Sequence, residues 1–119
     1  MSTSFNGKEL RIMDRVVVTP WPVMDAFDDG QRIIVLLDPD SYLTDPEYKK
    51  KRRSGTPPNK NLLAYSYDGN LLWEADFPSD VDYYYRISSQ QPLRVNSFSS
   101  FRCEIDSSTG KILGKEFYK

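Results

Sequence analysis

Two apolar stretches of this chain are each interrupted by a tight turn and then resumed, which is the sequence pattern of an antiparallel β-hairpin. The first occupies residues 64–73, around Gly69, and the second occupies residues 104–114, around Gly110. Both glycines fall where such a turn requires a positive φ, a conformation that glycine adopts at little cost. Because a hairpin pairs its own two strands, the chain is expected to fold into antiparallel sheets.

Further alternating runs, separated by Gly, Pro or Asp turns, extend this pattern over most of the chain. The predicted strands form two groups of four, at 23–27, 32–37, 61–67 and 71–76 and then at 81–87, 93–97, 100–106 and 111–117. Ile33–Leu37 is apolar at every position, which predicts a central strand buried on both faces. The predicted fold class is therefore all-β: two antiparallel sheets of blade-like four-stranded units, arranged as a sandwich or partial barrel, with Trp73 in the core.

Two segments depart from the strand pattern. Residues 1–14 are polar and are expected to form a loose N-terminal segment, with a short strand near residues 10–12. Residues 38–60 hold four of the eight prolines and a run of five basic residues, which predicts one long inserted loop. Within it, Asp45 followed by Pro46 predicts the start of a short helix. At 119 residues the whole chain is interpreted as a single β domain.

The composition excludes several kinds of chemistry. Histidine is absent and cysteine occurs once, at Cys103, which is expected to be buried beside Phe101 and Ile105. Ser–His and Cys–His nucleophilic pairs therefore cannot form within the chain, and a zinc site lacks its usual ligands. Catalysis by carboxylates such as Glu74 and Asp76 stays open, as does binding of Mg²⁺ or Ca²⁺ by acidic residues. We expect no enzymatic activity, no cofactor and no metal.

Charge and hydropathy restrict the partners. The chain has 16 Lys and Arg against 17 Asp and Glu, so it lacks the basic surplus typical of nucleic-acid-binding proteins. The longest apolar run has five residues, which is too short for a signal peptide or a membrane helix. We therefore expect a cytoplasmic protein that binds neither nucleic acid nor membranes, and the sequence leaves its oligomeric state open.

The second hairpin reads Asp106-x-x-Thr109-Gly110-Lys111-x-Leu113. This pattern resembles the A-x-D-x-x-T-G-x-x-x-W repeat of quinoprotein-type β-propellers. Gly114 stands at the tryptophan position of the repeat, whereas the first hairpin keeps the tryptophan, as Trp73, and has a shorter turn. The two turn glycines are 41 positions apart, which is a propeller-blade spacing. Because two blades cannot close a ring, the resemblance implies blade-like sheets and not a complete propeller with its quinone site.

Three segments, R-I-I-V-L-L-D-P-D, N-L-L-A-Y-S-Y-D-G-N-L-L-W-E and S-F-R-C-E-I-D-S-S-T-G-K-I-L-G-K-E-F-Y-K, follow one another along the chain. In this order they resemble small single-domain proteins of bacterial toxin–immunity systems, including immunity proteins of contact-dependent growth inhibition. The resemblance implies a protein that binds a cognate toxin and neutralises it by occlusion. Two alternatives are a non-enzymatic β-sheet protein-binding module with no toxin partner, and a small carboxylate-dependent enzyme.

A partner-binding surface is predicted at the 38–60 insertion and the edge residues beside it, because loops on a rigid sheet often carry binding functions. The insertion combines aromatic side chains with charges of both signs, a mixture that suits specific protein recognition. In the tyrosine run, alternation predicts Tyr83 and Tyr85 in the core and Tyr84 at the surface. The predicted partner-binding residues are Tyr42, Asp45, Glu47, Tyr48, Lys49, Lys50, Arg52, Arg53, Asp80, Asp82 and Tyr84. The alternative for the insertion is a disordered loop that contacts nothing.

Overall fold

The computed structural model describes residues 3–54, 60–79 and 82–117, which contain eleven strands and two short helices. In chain order these are β1 (Thr3–Asn6), β2 (Glu9–Ile12), β3 (Arg15–Val18), β4 (Val23–Asp28), β5 (Ile33–Leu37), α1 (Pro39–Leu43), α2 (Pro46–Arg53), β6 (Leu62–Tyr65), β7 (Leu71–Glu74), β8 (Tyr84–Ser89), β9 (Arg94–Ser97), β10 (Phe101–Ile105) and β11 (Ile112–Phe117). They form three antiparallel sheets in sequential order: the N-terminal sheet β1–β3, the central sheet β4–β7 and the C-terminal sheet β8–β11. Across the described ranges, neither helix has the length and apolar character needed to cross a bilayer.

Strand β5 lies inside the central sheet, and all five of its residues are buried. Its side chains alternate between two cores. Ile34 and Leu36 belong to a core shared with the C-terminal sheet, whereas Ile33, Val35 and Leu37 belong to a core shared with the N-terminal sheet. The molecule is thus a stack of three β-layers with the central sheet in the middle. The predicted central strand, buried on two sides, is confirmed.

The all-β prediction is confirmed, and its two groups of four strands are the central and C-terminal sheets. The short strand predicted near residues 10–12 is present as part of β2, but the prediction that the rest of residues 1–14 is loose is wrong, because most of that segment forms β1 and β2 of a third sheet. In β2, Leu10 and Ile12 are fully buried and alternate with exposed charged residues. The strands of this sheet have only four residues each, so the alternation is short, but Leu10 and Ile12 pack in one core with Ile33, Val35 and Leu37 of the central sheet.

Trp73 of β7 joins the central sheet to the C-terminal sheet. The residue is 8% exposed, and its indole Nε1 donates a hydrogen bond to the carbonyl of Ser107, with an N···O distance of 2.9 Å. Arg32, immediately before β5, donates to the same carbonyl. Gly110, with φ +79°, lies against the ring: a Cβ atom there would be 2.6 Å from Cε3 of Trp73. The predicted core position of Trp73 is confirmed, and its ring requires glycine at the neighbouring turn.

A similar contact joins the N-terminal sheet to the central sheet. The turn glycine Gly69 has φ +88°, and a Cβ atom there would be 3.1 Å from Cγ2 of Val17 in β3. Val17 follows the positive-φ residue Met13 by four positions. In the central sheet, Trp73 likewise follows the turn glycine Gly69 by four positions. In the C-terminal sheet, Gly114 follows Gly110 by four positions. The two junctions between the sheets therefore share one arrangement: Val17 packs on the turn glycine of the central sheet, and Trp73 packs on the turn glycine of the C-terminal sheet.

The Trp73 contact predicts that Gly110→Ala is more destabilising than the same change at Gly30. Both glycines have positive φ, so alanine is strained at both, but a Cβ at Gly30 would meet nothing within 4 Å. We expect about 1–2 kcal/mol for Gly30→Ala from the backbone alone, and about 1–3 kcal/mol more for Gly110→Ala from displacement of the indole. Urea unfolding measures both values, and equal losses would contradict a tight contact between Trp73 and Gly110.

Candidate functional site

The insertion between β5 and β6 contains both helices and most of the predicted partner-binding residues. Helix α1 begins after Asp38, whose carboxylate accepts a hydrogen bond from the amide of Asp40 at 3.0 Å, and Pro39 takes the first helical position. The Asp38 amide donates to the carbonyl of Pro22 at 2.8 Å. This bond fixes the start of the insertion to the segment that leads into β4.

Helix α2 begins as the sequence predicted. The Asp45 carboxylate accepts a hydrogen bond from the Glu47 amide at 3.1 Å, and Pro46 is the first helical residue. The prediction of a helix start here is confirmed, whereas the rest of the described insertion is more ordered than a simple loop. Along α2 the exposed side chains include those of Glu47, Lys49, Lys50, Lys51 and Arg53. The side chain of Arg52 lies outside the described part of the chain.

An aromatic cluster attaches the helices to the sheets. The Tyr42 ring lies 5.6 Å from that of Trp21 and 5.1 Å from that of Tyr48, measured between ring centroids. Tyr42 is 1% exposed, so the prediction that its side chain faces a partner is wrong. Sequence reasoning missed Trp21 because its neighbours are prolines, and nothing in the sequence links it to Tyr42, 21 positions later.

The Tyr42 hydroxyl is buried and has no hydrogen-bond partner among the described residues. Burial is the main cause that raises the pKa of this hydroxyl above its usual value, and the nearby Tyr48 adds to the effect. Tyr42 therefore contributes through packing of its ring and not through its polar atom. Tyr48, half-buried against it, is both an anchor and a part of the accessible surface.

Asp82 lies in the interior and not on the predicted patch. Its residue is 5% exposed, and its carboxylate accepts hydrogen bonds from the amides of Tyr83 and Ser99 at 2.9 and 3.1 Å and from the Ser79 hydroxyl at 3.0 Å. These donors stabilise a buried carboxylate and hold the start of β8 against the β9–β10 turn. The prediction of Asp82 as a partner contact is wrong, and Asp80 lies outside the described residues.

Tyr84 is fully buried, so its predicted surface position is wrong, and Tyr85, predicted in the core, is 41% exposed. The reason is a bulge: Tyr84 pairs with Ser97 and Arg86 pairs with the adjacent Asn96, which leaves Tyr85 as an extra residue and shifts the alternation. The Tyr84 hydroxyl donates to the carbonyl of Asp76 at 2.6 Å.

The described part of the chain offers exposed charge and no evident reactive centre. Cys103 is buried as predicted, and burial raises the pKa of its thiol, which disfavours the reactive thiolate. The Asp76 carboxylate lies 3.7 Å from the Lys60 ammonium, and Glu74 is exposed on β7. Within residues 3–54, 60–79 and 82–117, no three metal-ligating side chains come together. The arrangement best suited to bind a partner is the row of cations on α2.

Tyr42 gives a paired test of the aromatic cluster. We expect Tyr42→Phe to leave the free energy of unfolding within about 1 kcal/mol of the native value, because the hydroxyl that is removed makes no hydrogen bond. Tyr42→Ala should lose about 3–5 kcal/mol through the cavity left between Trp21 and Tyr48. Denaturant unfolding of both variants checks this, and a large loss for Tyr42→Phe would reveal a bonded hydroxyl.

The buried tyrosines predict a loss of stability in alkali. The pKa values of the Tyr42 and Tyr84 hydroxyls are raised in the folded state, mainly by burial, whereas in the unfolded chain these groups ionise near pH 10. Their contribution is therefore complete below about pH 10 and decreases as the pH rises above that value. Urea unfolding from about pH 8 to about pH 11 measures the slope, which Tyr42→Phe should reduce. A slope unaffected by this variant would contradict the burial of an ionisable hydroxyl there.

Comparison with known proteins places the chain in a family. No match was found among the curated proteins or among the solved structures. A family model described as "Domain of unknown function (DUF7957)" matches residues 1–117, which is nearly the whole chain and includes all three sheets and both helices. The protein belongs to this DUF7957 family.

Proposed function

We propose that this protein is a cytoplasmic immunity protein that binds a bacterial toxin domain and neutralises it by occlusion. The observation that carries the proposal is the concentration of exposed cations on α2. Residues 49–53 supply five of the 16 Lys and Arg of a chain whose net charge is −1, so the remainder of the chain is acidic. Such segregated charge favours an acidic surface on the partner and accelerates its association.

The way in which α2 is held supports binding by a preformed surface. Tyr48 on the helix packs against Tyr42, and Tyr42 packs against Trp21 beside the sheets. The cations therefore stand on a helix whose position is fixed before the partner arrives. Less conformational freedom is then lost on binding than if a flexible loop carried the same charges. Occlusion of a toxin needs only such a surface, so this function requires no catalytic step by the protein.

A protein-binding module without a toxin partner is a second candidate. The observation that favours it is the common contact at both junctions between the three sheets, since stacked units that join in the same way also suit a scaffold. The same basic helix would then contact a different acidic protein. The two candidates share the binding surface and differ in the identity of the partner.

Charge reversal on α2 tests the surface. We expect the triple variant Lys49→Glu, Lys50→Glu and Arg53→Glu to associate with the partner at least about tenfold more slowly, because steering by the basic helix is lost. A control triple variant, Arg11→Glu, Arg15→Glu and Lys111→Glu, changes the same charge at exposed positions elsewhere and should leave the rate within about twofold.

The partner is first captured from the source bacterium with the native protein and identified by mass spectrometry, and surface plasmon resonance then measures the association rates. Co-expression with the captured protein tests protection of growth. Equal rates for the two triple variants would contradict a site on α2. A captured partner that is not toxic when expressed alone would contradict the immunity function and favour the scaffold.

A further inference from the structure

The outer face of the C-terminal sheet, away from the central sheet, carries a shallow groove. It consists of two adjoining depressions of about 410 and 280 Å³, and Arg94 and Arg102 line both of them. The inward side chains of the same strands, such as Val95 and Cys103, are in the core, so the arginines lie on the opposite face. The two depressions therefore adjoin at the side chains of Arg94 and Arg102, and together they extend across several strands of the sheet.

Asn96, which lines this groove, has an unsatisfied polar atom. Asn96 pairs with Arg86 on one side and with Arg102 on the other, so it occupies the middle of a row across three strands. The residue is only 5% exposed, and its Oδ1 atom has no hydrogen-bond partner among the described residues. A buried carbonyl oxygen without a donor is unfavourable, so a ligand that brings an N–H group to it gains more than one that brings only charge.

The charge of the groove favours an anion. Arg94 and Glu104 are 3.4 Å apart, and Arg102 and Glu116 are 3.3 Å apart. These pairs are partly exposed to solvent, which weakens them, so a ligand can displace them at modest cost. The salt bridges found among the described residues do not include Arg86, which lines the same groove. One guanidinium therefore remains available for a carboxylate.

We infer that this groove binds an acidic polypeptide segment in an extended conformation. A carboxylate of the segment accepts hydrogen bonds from the Arg86 guanidinium, and a backbone N–H donates to Oδ1 of Asn96. A simple inorganic anion would satisfy the arginine but would bring no comparable N–H donor to the asparagine. The site is separate from the basic helix α2, and it does not depend on the immunity function.

Nuclear magnetic resonance titration of the ¹⁵N-labelled protein tests the site at the modest affinity expected of a short ligand. The probe is the acetylated and amidated tetrapeptide Glu-Ser-Glu-Ser, and Gln-Ser-Gln-Ser is its neutral analogue. We expect saturable shifts centred on the amides of Arg86, Asn96 and Arg102 with the acidic peptide alone. Arg86→Gln and Asn96→Ala should each weaken binding by about tenfold, the loss expected for a hydrogen bond that involves a charged or buried group.

Arg11→Gln is the matched control, because it removes the same charge from an exposed position on the outer face of the N-terminal sheet. It should leave the affinity unchanged, as should the charge reversals on α2. The absence of saturable shifts, or equal shifts with the neutral peptide, would overturn the inference. If inorganic phosphate binds the groove as tightly and Asn96→Ala has no effect, the site holds adventitious anions only and the inference is also overturned.

Discussion

The burial of β5 on both faces is the constraint on which the rest of the structure depends. A sheet with two apolar faces is stable in water only if another layer covers each of them. Ile34 and Leu36 require a cover on one side, and Ile33, Val35 and Leu37 require one on the other. The C-terminal sheet supplies the first cover and the short N-terminal strands supply the second. The insertion with its two helices begins directly after β5, so the position of this strand also determines where the basic helix α2 lies.

Polar contacts fix how the layers are aligned. The buried side chain of Asn61 donates from Nδ2 to the carbonyls of Leu37 and Tyr84, at 3.1 and 2.6 Å, and its Oδ1 accepts from the Tyr84 amide at 3.0 Å. One amide side chain thus links the end of β5 to the start of β8, and so joins the central sheet to the C-terminal sheet. Trp73 of β7 and Arg32 before β5 both donate hydrogen bonds to the Ser107 carbonyl, and so also link the central sheet to the C-terminal sheet. Hydrophobic contact alone tolerates sliding of one sheet over another, whereas these directional bonds specify a single alignment.

Local patterns explain which features could be predicted from the sequence. The hairpins, the central strand and the start of α2 follow from spacing within about ten residues, which is where turn and cap preferences operate. The position of Tyr84 could not be predicted in this way, because a single bulge shifts the alternation of the strand that contains it. Burial of Tyr42 depends on Trp21, and the third sheet depends on a face of β5 that is distant in sequence. The candidate groove depends on cross-strand neighbours such as Arg86 and Asn96, whose pairing is known only once the register is fixed.

The positions of the two tryptophans give the molecule a built-in optical reporter. The chain has only Trp21 and Trp73; the first lies in the cluster that anchors the helices, and the second lies between two sheets against a glycine turn. Their indoles are in different surroundings: that of Trp21 is half-buried against the Tyr42 ring, and that of Trp73 is enclosed at a turn and bonded to a carbonyl. The intrinsic fluorescence of a protein that retains only one of them would therefore follow one junction of the fold, so that detachment of the helices and separation of the sheets become distinguishable events in solution.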